Sequence, residues 1–288
     1  MTRREAQSSK DAPMTGPAAW FKWLGVATLS VARRTFGALG GMSILAGETG
    51  KQTLEGFTAG RRMGREALLF QMVRVGIRAV PIVILVQLAI GVILPLQMFP
   101  KLDEFGQGEQ VATITAIAAF RELGPLMTAI VLSGFAGASI AAELGTMVTA
   151  EEIDALRSMA LNPVRFLVAP RLLATLLMTV LLTVIADVVM IAGGWLTGVK
   201  LGVDVDVFYR LVIEAVDVMG FFTGLIKAAV FGFLVGLIAC YLGLSVPKWQ
   251  GPEGVGRATT LTVVYGIVAV IGADALFTVI FYAYGLFG

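Results

Sequence analysis

The sequence predicts an all-α integral membrane protein with about five transmembrane helices, an N-terminal interfacial amphipathic helix, and a short helix between the second and third spans. Hydrophobic residues make up 57% of the 288 residues and charged residues only 15%, with a mean hydropathy of +0.84. A soluble domain of this size could not bury so much apolar surface. The chain has no histidine and a single cysteine, Cys240, which excludes a disulfide framework and the usual zinc sites.

Residues 1–60 are predicted to form a basic N-terminal segment, partly disordered and partly interfacial, because its first part is polar and contains Pro and Gly. Of the 22 Lys and Arg residues, 12 lie within the first 78 positions, next to the first apolar segment. This placement indicates contact with a membrane surface and not with nucleic acid. Residues 61–78 are predicted as a basic amphipathic helix in the headgroup plane, where Arg74 and Arg78 share one side.

Residues 61–288 are predicted as the membrane domain, in which apolar segments of about 20 residues mark the spans. The predicted spans are residues 79–99, 126–147, 172–199, 220–244 and 259–287. The apolar stretch 111–147 is too long for one simple crossing, since a continuous helix of that length would reach roughly 55 Å. We therefore expect a shorter lead-in over 111–125, bent at Gly124-Pro125, before the second span.

Small residues recur at four-residue spacing in two of the predicted spans. The residues concerned are Ser133, Gly137, Ala141 and Gly145 in the second span, and Gly232 and Gly236 in the fourth. Such stripes let helix backbones approach closely in lipid, where apolar side chains alone give no pairing force. They predict helix packing, either within the chain or at the subunit interface of a dimer.

The segment between the second and third spans has the signals of a short amphipathic helix. Thr149 precedes Glu152 by three positions, which predicts a capping box, and acids crowd the first turn. The acids are Glu151, Glu152 and Asp154, and the predicted apolar face is Ile153, Leu156, Met159 and Ala160. Asn162-Pro163 is expected to end the helix. The pattern is typical of a helix lying on the bilayer or of one docking into a groove of a soluble partner.

Five ionisable residues are predicted at membrane depth, where each is costly unless it is paired or faces water. They are Arg121, Glu122, Asp187, Lys227 and Asp274. Asp187 and Asp274 are the expected partners of Lys227, with Glu122 as a third candidate. Two interpretations remain open: ionic packing between helices, or a polar cavity or gate that handles the headgroup of an amphiphile.

The distribution of basic residues predicts the orientation of the chain. With the N-terminus in the cytoplasm, the inner segments hold the 12 N-terminal bases and five more, whereas the outer loops hold three. The five inner bases are Arg157, Arg165, Arg171, Lys248 and Arg257, and the three outer ones are Lys101, Lys200 and Arg210. The positive-inside rule then gives about five spans with the C-terminus outside and the short helix in the cytoplasm.

Four sequence motifs carry a family resemblance that covers roughly residues 60–287. They are RELGP at 121–125, AAELGTM at 141–147, the run EEIDAL…MALNPVRFLVAPR at 151–171 and GRATT at 256–260. In these motifs the chain resembles the MlaE-type permeases of MCE-associated ABC transporters. The resemblance implies that the short helix is a coupling helix, which contacts a separate ATPase subunit.

The resemblance further implies a non-catalytic permease subunit of the inner membrane, a homodimer of this chain, an MCE-domain partner, and a lipid cargo such as a phospholipid or a sterol. Two other functions stay open: an ion-coupled secondary transporter driven by Asp187, Glu122 or Asp274, and a structural membrane scaffold. The absence of a visible inverted repeat speaks against the secondary transporter. No catalytic residue, cofactor or metal ligand is predicted.

Overall fold

A computed structural model describes residues 36–53 and 65–285, and every regular element within these two ranges is helical. The larger compact unit of the chain begins at Leu45. The predictions made for residues 1–35 and 54–64 lie outside the described residues. Within the described part, the fold is the all-α membrane architecture that the sequence predicts.

Eleven helices are described, and α1 covers residues 36–53. The others are α2 (Arg65–Val75), α3 (Val80–Glu104), α4 (Val111–Ala118), α5 (Gly124–Leu132), α6 (Ala138–Thr149), α7 (Glu152–Ser158), α8 (Ala169–Lys200), α9 (Val205–Ala215), α10 (Val218–Leu244) and α11 (Gly251–Ala283). Three π-helical turns lie between these helices. Ala119–Leu123 connects α4 to α5, Ser133–Gly137 connects α5 to α6, and Val164–Val168 leads into α8.

Within residues 36–53 and 65–285, five stretches of helix are long and apolar enough to cross a membrane, which agrees with the predicted number of spans. They are Glu66–Glu104, Gly108–Thr149, Val164–Lys200, Val218–Leu244 and Lys248–Ala283. Most of these helical stretches extend beyond the predicted limits of the spans. Hydropathy identifies the part of a helix that is compatible with lipid, but it does not detect the polar ends of the helix. At the last span, α11 begins at Gly251, before the predicted limit at 259, with Pro252 in the first turn.

At the predicted bend, Gly124-Pro125, the chain follows a helical path without a loop. Helix continues from Val111 to Thr149, and the two π-helical turns within it each insert one wider turn. Pro125 follows directly after the first π-helical turn, at the start of α5, where a proline is tolerated. The π-helical turn therefore accommodates the proline that the sequence suggests would bend the helix.

Helix α8 is the centre of the domain and packs against α2, α3, α5 and α10. Its buried threonines satisfy their hydroxyls within the helix, since Thr179 and Thr183 each donate to the carbonyl four residues earlier, at 2.7 and 2.8 Å. The backbones of α3 and α8 touch, because a Cβ atom on Gly91 would collide with the carbonyl of Met190. Close backbone approach of this kind is typical of helices that pack in lipid.

The small-residue stripes face other helices of the same chain. Ser133 Oγ donates to the carbonyl of Val263 in α11 at 3.3 Å, and a Cβ atom on Gly137 would lie 3.2 Å from Thr262. Ala141 lies against Gly243 of α10, and Gly145 against Val246 and Val255. Gly232 and Gly236 pack on Thr179 and Leu172 of α8. Contacts within one chain therefore occupy both stripes.

The predicted topology can be tested by cysteine labelling in a Cys240→Ala background, because Cys240 is the only native thiol and is fully buried. We expect Ser158→Cys, in the exposed end of α7, to react with a membrane-impermeant maleimide only from the cytoplasmic side. Gln107→Cys, between α3 and α4, should react only from the opposite side. Labelling of both positions from one side would contradict the single crossing predicted between Gln107 and Ser158.

Candidate functional site

A cluster of charged residues surrounds Lys227, which is fully buried in α10. Its Nζ donates to Glu122 Oε2 at 2.8 Å and to Thr278 Oγ1 at 3.1 Å, and it lies 3.0 Å from Asp274 Oδ1. The Asp274 contact is within ion-pair distance but lacks hydrogen-bond geometry. Thr278 in turn donates to Glu122 Oε1 at 3.2 Å. The buried ammonium thus has two carboxylate partners from different helices.

The backbone before Pro125 adds a further ligand to Lys227. Proline has no N–H, so it leaves a carbonyl of the preceding turn without its usual helical donor. The carbonyl of Arg121 instead accepts from Lys227 Nζ at 3.2 Å. The RELGP motif therefore supplies both a carboxylate and a backbone carbonyl to the lysine.

Two glycines allow α10 to approach the π-helical turn Ala119–Leu123. Gly220 and Gly224 share one side of α10 with Lys227, at helical spacing. A Cβ atom on Gly224 would collide with the carbonyl of Phe120, and one on Gly220 would lie 3.0 Å from Arg121 Nε. The close approach places Lys227 beside Glu122, and a larger side chain at Gly224 would collide with the backbone of the π-helical turn.

The structure changes the pairing that the sequence suggests. Glu122 and Asp274 pair with Lys227, but Asp187 does not, and its Oδ1 has no hydrogen-bond partner. The reason is the direction of α8, which turns Asp187 towards Gly124 of α5. Thr278 was missed, although it lies one turn after Asp274 and therefore on the same side of α11.

Helix α7 differs from the prediction at its start. It has 7 residues, about two turns instead of three, and Glu151 before it has a left-handed backbone with φ of 62°. The expected capping box is absent, because Thr149 is the last residue of α6 and donates to the carbonyl of Thr146 at 3.0 Å. Sequence alone did not show that α6 continues through Thr149.

The end of α7 and its apolar face also require correction. The helix ends at Ser158, and Ala160 has a left-handed φ of 58°. Asn162-Pro163 starts the next π-helical turn, with Asn162 Oδ1 accepting from the N–H of Val164 at 2.9 Å. The predicted apolar face is divided, since Ile153 is buried whereas Met159 is 61% exposed.

Helix α7 is attached to the start of the last span. Lys248 forms ion pairs with Asp154 and with Glu151, the latter at 3.5 Å. The hydrogen bond from Lys248 lowers the pKa of Asp154. Beside this contact, Ile153 faces a cavity of about 510 Å³, lined also by Val246. The short helix therefore contacts the segment that leads into α11.

A second charged cluster lies near the same end of the bundle. Glu143 of α6 accepts from Arg74 of α2 at 2.9 Å and from Arg171 of α8 at 2.8 Å. The Arg171 guanidinium is almost fully buried and also donates to the carbonyl of Leu167 at 2.7 Å. Sequence analysis used these arginines only as topology signals and missed Glu143 as the acid that joins them.

Five apolar helices around a buried, ion-paired lysine define a multi-pass membrane protein with a polar site at bilayer depth, as is typical of transport proteins. The family described as Permease MlaE matches residues 68–280, so the chain belongs to the MlaE permease family. The matched range includes α7 and every member of the Lys227 cluster.

Individual relatives agree with this assignment. The chain is 33% identical over 212 residues to a probable ABC transporter permease protein of Rickettsia typhi, covering 73% of this chain and 81% of that protein. It is 34% identical over 223 residues to the intermembrane phospholipid transport system permease protein MlaE of Haemophilus influenzae, covering 76% and 84%. A probable ABC transporter permease protein of Synechocystis is 30% identical over 210 residues, covering 73% and 79%.

The energetics of the Lys227 cluster can be tested by removing charges singly and together. Lys227→Met leaves Glu122 and Asp274 without their cation, and we expect a loss of about 3–5 kcal/mol in stability. The triple variant Lys227→Met/Glu122→Gln/Asp274→Asn removes all three charges and should recover most of that loss. Thermal unfolding in detergent measures both, with Thr278→Val as an uncharged control. A triple variant no more stable than Lys227→Met would contradict the ion-pair account.

Proposed function

We propose that this chain is the transmembrane subunit of an ABC transporter that moves phospholipid-like lipids, with ATP hydrolysis carried out by a separate subunit. The observation that carries the proposal is the family match over residues 68–280, which contains both α7 and the charge cluster. The names of the relatives support it, since one is the permease of a phospholipid transport system and others are probable ABC permeases. The chain itself is the non-catalytic component.

The Lys227 cluster is proposed to contact the lipid headgroup along the transport path. Glu122 has a side chain 34% exposed, whereas that of Asp274 is 14% exposed and that of Lys227 is fully buried. The cluster is therefore accessible at Glu122 and buried at Asp274 and Lys227. Two carboxylates share one ammonium, so Lys227 can give up one acidic partner for a headgroup phosphate and keep the other.

Helix α7 is proposed to be the coupling helix that receives motion from the ATPase. Its buried Ile153 fixes it to the bundle, and its exposed end offers Met159 and the neighbouring Leu161 to a partner. The ion pairs of Lys248 join α7 to the segment that begins α11. Because α11 also carries Asp274 and Thr278, movement of α7 would reach the charge cluster through one helix.

The remaining assembly is proposed from the family resemblance. It comprises a homodimer of this chain in the inner membrane, two ATPase subunits, an MCE-domain protein on the outer side, and a cytoplasmic N-terminus. The homodimer would use a surface other than the Ser133–Gly145 stripe, because the chain's own helices α10 and α11 cover that stripe.

The coupling role can be tested with two variants that add the same charge at neighbouring exposed positions of the short helix. Met159→Asp places a carboxylate at the apolar tip, and we expect the co-purified ATPase to fall by about tenfold or more. Ser158→Asp is the matched control and should leave association within about twofold of the unmodified protein. Neither change touches a buried residue, so both proteins should insert normally. Equal recovery of the ATPase with both variants would contradict docking at this tip.

A further inference from the structure

Asp187 is a buried acid that the charge cluster does not use. It lies in the middle of α8 with only 2% of its surface exposed, and its Oδ1 has no hydrogen-bond partner. No ion pair among residues 65–285 includes it. Gln87 of α3 is 1% exposed, and its Oε1 is likewise without a partner. Two buried oxygen atoms with unsatisfied hydrogen-bonding capacity are unusual in a membrane interior, where no bulk water can compensate.

Both side chains meet the same residue, Gly124 of α5. Gln87 Nε2 lies 3.4 Å from the carbonyl of Gly124, and a Cβ atom on Gly124 would collide with Asp187 Oδ1. Gln87 Nε2 also contacts Thr128 Oγ1 at 3.5 Å, which leaves its Oε1 as the unsatisfied atom. The glycine therefore lies between the two polar side chains, where α3, α5 and α8 meet.

No ion pair joins Asp187 to the described helices that pack against α8, because Lys227 of α10 and Arg74 of α2 pair with other acids. Helices α4 and α5 contain no charged residue, and α3 has charged residues only near its end. The charged residues closest along the neighbouring segments are Arg121 and Glu122 in the π-helical turn and Lys227 in α10. Glu122 and Lys227 pair with each other, and no ion pair within residues 65–285 includes Asp187. An ionised Asp187 would therefore be an isolated charge in a medium of low dielectric constant, which costs far more than a neutral acid.

We propose that Asp187 and Gln87 form a binding site for one proton. The carboxylate takes a proton from a hydronium ion: one O–H bond of hydronium breaks, one O–H bond forms on the carboxyl group, a water molecule is released, and the site changes from a charge of −1 to neutral. The bound proton gives Asp187 a hydrogen-bond donor, for which Gln87 Oε1 is an unsatisfied acceptor. The site is separate from the Lys227 cluster and does not depend on the lipid cargo. It sits where α3, α5 and α8 meet, so loss of the proton would place an unpaired charge in that contact.

Dicyclohexylcarbodiimide tests the proposal directly, because this apolar reagent reacts with protonated carboxyl groups in membranes. We expect a mass-spectrometric adduct on Asp187 in the intact protein at neutral pH, with equal yield in sodium and in choline buffers. Suppression of the adduct by sodium would overturn the proposal and indicate a sodium ion at Asp187. The purified complex, with all its subunits, is the sample.

Infrared difference spectroscopy is the second measurement, and it tests the proposal even if dicyclohexylcarbodiimide does not reach Asp187. The protonated carboxyl band should be present in the unmodified protein and missing in Asp187→Asn, whose amide matches the shape of the neutral acid. Asp187→Asn should also assemble and transport lipid within about twofold of the unmodified protein, because it introduces no charge and keeps a hydrogen-bond donor. If neither the adduct nor the band is found, Asp187 is ionised and the proposal is wrong.

Discussion

The burial of one lysine charge among lipid-length helices is the constraint on which the described structure depends. An unpaired ammonium there would be strongly destabilising, so the fold must bring acids to Lys227. Glu122 comes from the segment between α4 and α5, and Asp274 comes from α11, so the ion pairs join three helical segments. The glycines of α10 permit the close approach of α10 to the π-helical turn. The proline of the RELGP motif lacks an N–H group, and Lys227 donates to the carbonyl of Arg121 in the turn before it.

The same lysine connects the membrane interior to the short helix through α11. Asp274 lies 23 residues after Gly251, which corresponds to roughly 35 Å of continuous helix. Helix α11 begins just after Lys248, which contacts α7. Its later part carries Asp274 and Thr278, which contact the buried Lys227. On the proposed function, motion at the coupling helix changes the position of one acid relative to Lys227 without requiring loops to transmit it. The Arg74–Glu143–Arg171 cluster meanwhile holds α2, α6 and α8 together at a separate point.

Much of this architecture could be predicted from sequence, because hydropathy and charge bias act locally along the chain. The number of spans and the family followed from such signals. The partners of Lys227 could not be settled, since Asp187 and Asp274 look alike in sequence and only the rotation of each helix distinguishes them. The predicted capping box at Thr149 was wrong for a related reason. The motif is local, but α6 extends through Thr149, whose hydroxyl donates to a carbonyl within α6. The π-helical turn before Pro125 has no sequence signal beyond the proline, which more often predicts a bend.

The central claim is that lipid reaches the Lys227 cluster when the ATPase works. Photocrosslinking measures this directly, with a benzophenone amino acid in place of Phe277, a half-buried neighbour of Thr278. The same substitution at Tyr282, which is 79% exposed, reports ordinary contact with surrounding lipid. The account predicts that ATP hydrolysis by the assembled transporter changes the phospholipid adduct at Phe277 and leaves that at Tyr282 constant. An adduct at Phe277 that is absent, or that ATP does not alter, would contradict it.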